Sequence, residues 1–83
     1  FIGRKIEPMI VTVAAKTETE PPALVSHTGQ EFNYVLEGRV KVIFGKREFL
    51  LNEGDCFYFD PVTPHAQTAV GGKDAKFLTV ILL

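Results

Sequence analysis

Only two histidines occur in this chain, His27 and His65, and each stands in a segment of unusual wording. The first reads His27-Thr28-Gly29-Gln30-Glu31 and runs into an apolar stretch that ends at Glu37-Gly38. The second closes the run Gly54-Asp55-Cys56-Phe57-Tyr58-Phe59-Asp60-Pro61-Val62-Thr63-Pro64-His65. Two imidazoles and a carboxylate with open positions beside them form the facial arrangement of non-haem Fe(II) sites. Geometry sets a condition on that reading. On a straight strand His27 and Glu31 share a face but lie about 13 Å apart, at about 3.3 Å per residue. Metal ligands lie about 2 Å from the ion, so the chain must turn between them. Gly29 is the residue that allows the turn, because glycine tolerates positive φ and bulges. His65 must then come from a neighbouring strand, about 4.8 Å away. Two His beside one of the chain's seven Glu are no enrichment, and spacing alone leaves a plain packing role open.

The elements that would position these residues are short strands. Turn signals stand at Pro21-Pro22, Gly38, Gly45, Asn52 to Asp55, Pro61 to Pro64 and Gly71 to Asp74. Between them, runs rich in Val, Ile, Phe, Tyr and Thr predict strands over 9–14, 32–36, 40–44, 48–51, 56–59, 66–70 and 77–82. No stretch keeps a 3.6-residue apolar period, so an all-β sandwich or barrel is expected. Val40, Val42 and Phe44 alternate with Lys41, Ile43 and Gly45, the pattern of a half-buried strand. The strands at 32–36 and 77–82 are apolar on both faces. In so short a chain such strands need cover from outside, and a second copy is the simplest source, so a homodimer is expected.

Asn33 shares strand parity with Glu31, and Gln67 with His65. Both are expected to point inward, onto a ligand or onto a water that holds a metal. Tyr58 joins them as a candidate ligand contact, although packing is the commoner role of such a ring. Cys56 opens an aromatic strand and reads as a small buried apolar residue rather than a nucleophile. Pro64 cannot donate a ladder hydrogen bond, so it marks a strand start and fixes the approach to His65. Residues 16–22, Lys-Thr-Glu-Thr-Glu-Pro-Pro, read as a solvated connecting loop.

Composition narrows the class. Hydrophobic residues make up 46% and charged residues 23%, the balance of a folded domain rather than a disordered one. Nine Lys+Arg against ten Asp+Glu leave a net charge of −1, which speaks against binding nucleic acid through phosphates. No apolar run approaches the roughly 18 residues of a membrane span. A single cysteine excludes an internal disulfide and suits a reducing, cytoplasmic compartment. The chain opens on Phe1 without a signal segment and is expected to be the C-terminal part of a longer protein.

The wording of residues 27–65 resembles the cupin superfamily. His27, Glu31 and Gly38 match the latter part of its first motif, G-x5-H-x-H-x3-4-E-x6-G. Gly54, the aromatic run after it and Pro64-His65 look like the second motif, G-x5-P-x-G-x2-H-x3-N. The same stretch is similar to the cupin domain that follows a helix-turn-helix in many XRE-type transcriptional regulators. There the pattern runs close to H-x-G-x-E-F-x-Y-V-L-E-G, then G-D-x-x-Y-F-D and P-H. Residues 7–13 and 76–82 fit the outer strands, so the resemblance covers most of the chain. It implies one domain over 1–83, an all-β double-stranded β-helix (jelly-roll) barrel. The departures are specific. The first histidine of the H-x-H pair falls at Val25, which cannot bind metal. The second motif's Pro, Gly and Asn fall at Asp60, Val62 and Ala69. Three of the usual four ligands remain: His27, Glu31 and His65.

The resemblance implies three functions. The first is the effector-sensing domain of a transcriptional regulator, with a small ligand and a divalent metal (Fe, Mn, Ni or Zn) or no metal in the barrel. DNA binding would then belong to a domain outside this chain. The second is an iron enzyme resembling cupins of the hydroxypropylphosphonate epoxidase type, which carry the same three-ligand set. The third is a structural dimerisation domain with an empty barrel.

Overall fold

A computed structural model describes residues 3, 5–15 and 22–83. The loop expected over 16–22 therefore lies outside the described residues except for Pro22. Seven strands follow in chain order: β1 (Ile6–Val13), β2 (Gln30–Glu37), β3 (Arg39–Phe44), β4 (Arg47–Leu51), β5 (Cys56–Phe59), β6 (His65–Val70) and β7 (Ala75–Leu82). They form two antiparallel sheets, one ordered β1-β7-β2-β5 and the other β4-β3-β6. The all-β barrel expected from the sequence is the one observed. Among the described residues no helix is long and apolar enough to cross a membrane.

Each expected strand is present, and most extend by one to three residues. β1 shows why. It starts before Pro8, at Ile6, because it pairs only with β7. An edge strand tolerates a residue that cannot donate to a ladder. Between β2 and β3 the chain turns on Gly38 alone, at φ of +78°. A Cβ there would meet the Asp74 carbonyl oxygen at 2.7 Å, so the turn requires glycine.

Alternation decides what enters the barrel. Glu31, Asn33 and Val35 of β2 are buried, while Tyr34 and Leu36 face out. On β3, Val40 and Val42 are buried as the alternating pattern predicts. Val35, Val40, Val42, Leu51, Ala69, Ala75 and Phe77 form one core cluster, with Val11, Val13, Phe44, Phe49 and Phe57 packed against it. Most of these residues lie toward the Gly38 end, near the turns at 52–55 and 71–74. The opposite end holds the polar side chains.

Two expectations about β5 need correction. Cys56 is exposed rather than buried. Tyr58 is 64% exposed and faces away from the barrel. The reason is parity: Phe57 and Phe59 take the inward positions, so Cys56 and Tyr58 share the outer face.

Candidate metal centre

The polar end is assembled from three places in the chain. Glu31 is the second residue of β2, His65 opens β6, and His27 lies in the irregular segment that leads into β2. Backbone hydrogen bonds tie that segment to the loop before β6. Val25 and His65 exchange N–H···O bonds of 2.9 Å, and the His27 N–H donates to the Pro61 carbonyl at 3.0 Å. The Ser26 hydroxyl donates to the Val62 carbonyl. The position where the cupin motif carries another histidine, Val25, thus serves as a backbone bridge.

The bend required between His27 and Glu31 is at Gly29, whose φ is +99°. The backbone there passes so close to β7 that a Cβ would stand 2.1 Å from the Leu82 carbonyl oxygen. Glycine is needed both for the dihedral and for the approach. The result brings four-apart residues together: His27 Nε2 lies 2.9 Å from Glu31 Oε1. His65 Nε2 lies 3.5 Å from the same oxygen. One ligand atom from each of His27, Glu31 and His65 falls within 4.8 Å of the other two.

Proton placement follows from the hydrogen-bond partners. His65 Nδ1 sits 2.9 Å from the Thr63 carbonyl oxygen, and His27 Nδ1 3.1 Å from that of Thr28. A carbonyl only accepts, so Nδ1–H is the donor in each pair and each ring turns its Nε2 inward. Two Nε2 atoms and a carboxylate oxygen then face one another. A cation among them, a proton or a metal ion, satisfies three such atoms at this range. A divalent transition metal fits that donor set, and carbonyl partners on Nδ1 are what orients metal-binding imidazoles.

The surroundings are unequal. Glu31 is 5% exposed and the His65 side chain 2%, while the His27 side chain is 34% exposed. Phe59 lies edge-on to His65 at 4.8 Å between centroids, and Phe44 lies edge-on to Phe59 at 5.5 Å. These rings make an apolar wall on the His65 side, and His27 is the most exposed of the three side chains.

Asn33 and Gln67 do turn toward this site, but onto Glu31. Asn33 Nδ2 donates to Glu31 Oε2 at 2.9 Å, and Gln67 Nε2 donates to the same oxygen at 3.2 Å. The Thr79 hydroxyl donates to Asn33 Oδ1. Thr79 was not legible as a site residue. It stands directly across from Asn33 in the β2–β7 register, and register is what a single strand sequence does not carry. Tyr58, on the outer face, does not join the group. A groove of about 730 Å³ lies at the other end of the barrel, among Glu37, Arg39, Asn52, Glu53, Lys73 and Asp74. Several of its polar groups are engaged within the chain, as in the Gly38 N–H to Glu53 and Arg39 to Asn52 bonds.

The cupin domain family model matches residues 9–81. An uncharacterized protein of Methanocaldococcus jannaschii, MJ1618, is 30% identical over 77 residues, covering 93% of this chain and 58% of that protein. Among solved structures, hydroxypropylphosphonic acid epoxidase from S. wedmorenis superposes with a TM-score of 0.83 at 30% identity, covering 94% of this chain and 44% of that one. A structure of Fe(II) HppE in complex with substrate gives 0.83 at 31% identity, with 94% and 46% covered. A structure of Co(II) HppE with Tris buffer gives 0.83 at 30%, with the same coverage. The chain therefore spans less than half of these solved chains.

Proposed function

The chain belongs to the cupin family, and from that premise we propose that it is a metal-dependent small-ligand-binding domain. His27, Glu31 and His65 would hold one divalent transition metal. The observation that carries this reading is the convergence of three potential ligand atoms, His27 Nε2, His65 Nε2 and Glu31 Oε1, within 4.8 Å of one another. A bound metal would act there as a Lewis acid with positions open to an organic ligand. The chain's own contribution is to orient the donors through Thr28, Thr63 and Asn33, to exclude water with Phe59, and to admit the ligand beside His27. Iron leads among Fe, Mn, Ni and Zn, because the similar structures at 30–31% identity hold Fe(II) or Co(II).

In this reading the domain is the effector-sensing part of a cytoplasmic transcriptional regulator. The support is the wording of residues 27–65 together with a net charge of −1, which leaves DNA binding to another part of the protein. A second reading, an iron enzyme, is favoured by the likeness to an epoxidase. Metal analysis of untagged protein is the first test. Stoichiometric metal in the wild type, lost by at least about 100-fold in affinity in His65→Ala, is the expected result. Protein that neither carries metal nor takes it up would overturn both metal readings and leave an organic-effector sensor or an empty barrel. A parent chain without a helix-turn-helix before residue 1 would overturn the regulator reading.

We also propose that two copies pair through the outer face of the β1-β7-β2-β5 sheet. Pro8, Val80, Phe32 and Tyr58 form one row across it in register, and Ile10, Leu78, Tyr34 and Cys56 form the next. Neither row holds a charged side chain, so two copies would meet without like-charge repulsion. A 9.2 kDa monomer at tens of micromolar in sedimentation would overturn this.

A further inference from the structure

Resting on the metal reading above, we infer that Asn33 is a positioning residue that keeps Glu31 a one-oxygen ligand, and that Thr79 acts through Asn33. A carboxylate that meets a metal with both oxygens must have both free. Glu31 Oε2 already accepts two N–H bonds, from Asn33 at 2.9 Å and from Gln67 at 3.2 Å. Glu31 Oε1 faces the two histidine Nε2 atoms. The division of labour between the two oxygens is built into the barrel.

Asn33 is a poor residue for the middle of a strand, and at 2% exposure both ends of its amide are spent on partners within the chain. Its amide has one orientation that satisfies both ends. Nδ2 meets the carboxylate, while Oδ1 accepts the Thr79 hydroxyl from across the ladder. Turned over, Oδ1 would oppose Glu31 Oε2, acceptor against acceptor. An apolar residue at 33 would fill the same space, but Glu31 would lose one of the two donors that fix its plane. Partners that orient a metal ligand typically contribute about 10- to 100-fold in metal affinity.

The test uses Co(II) as the probe, with titrated affinity and the visible absorption band of the bound ion as readouts. Wild type is expected to bind and show the band. Asn33→Leu is expected to lose about 10- to 100-fold in affinity and to shift the band, as Glu31 changes its mode of binding. Thr79→Val is expected to lose less, and Thr79→Ser, which keeps the hydroxyl, to match wild type. In an Asn33→Leu background Thr79→Val should cost nothing further, an outcome that general loosening of the barrel would not give. Should Asn33→Leu fail to fold, the Thr79→Val and Thr79→Ser pair decides by itself. Equal affinity and an unchanged band in folded Asn33→Leu, or in Thr79→Val, would overturn this inference and leave the metal site standing. No Co(II) uptake by wild type would overturn both.

Discussion

The two ends of the barrel interior are made from the same strands and are built on opposite rules. β2 carries Glu31 and Asn33 at one end and Val35 at the other, all on its inner face. β7 places Thr79 beside the site and Phe77 in the core, one inward position apart. β6 runs from His65 through Gln67 to Ala69. At the Gly38 end the side chains are aliphatic or aromatic and close-packed. At the His27 end buried polar atoms converge, and each of them has a hydrogen-bond partner. Stability and ligand chemistry are thus separated by about one pleat, roughly 7 Å along the strand. The packed end keeps the barrel closed, which lets the other end hold three ligating side chains together.

Substitutions on either side of that line should separate stability from binding. Phe77→Ala has the largest expected effect, a loss of about 3–5 kcal/mol of stability from a buried aromatic truncated in a packed core. For so small a domain that approaches its entire stability. Denaturant titration measures it, and the metal affinity of the remaining folded protein should stay within about twofold of wild type. Gly29→Ala comes next. A Cβ must displace the Leu82 carbonyl from 2.1 Å, and the residue keeps a φ that costs L-residues about 1–2 kcal/mol. Its stability loss should be moderate, but metal affinity should fall at least about tenfold because His27 is re-aimed. Isothermal titration would show this, and an affinity equal to wild type would mean that the bend does not set the site. The smallest effect has the opposite sign. Where both Nε2 atoms are unprotonated, Glu31→Gln removes a buried charge from between them and offers them an N–H. Without metal it should raise stability by about 1 kcal/mol, a few degrees in a melt, while metal binding is lost. A lower melting temperature would mean that the polar end is not strained in the metal-free state.

What was legible in the sequence divides along similar lines. Strand positions came through because turn residues and β-branched runs act locally, and 56–59 agrees with β5 at both ends. His27, Glu31 and His65 came through because their spacing follows a family motif and Gly29 offers a bend. Facing was harder. In Cys56-Phe57-Tyr58-Phe59 either alternate set looks apolar enough to enter the barrel, and only packing against Phe44 and Phe49 selects Phe57 and Phe59. The roles of Asn33 and Gln67 were half legible. Parity turned them inward, but their shared target, Glu31 Oε2, depends on how two sheets meet. Thr79 depends on the β2–β7 register and could not be read from either strand alone.

The unequal exposure of the two histidines has a consequence in time rather than in equilibrium. A metal held between them would be walled by Phe59 on the His65 side and would lie nearer water beside the more exposed His27. Entry and escape would then favour the His27 side, with His27 the first ligand an incoming ion meets and the first an outgoing ion releases. A chelator would have to capture the ion while His65 and Glu31 still hold it. A barrel that held metal in this way should release it slowly on the scale of ligand exchange at its mouth.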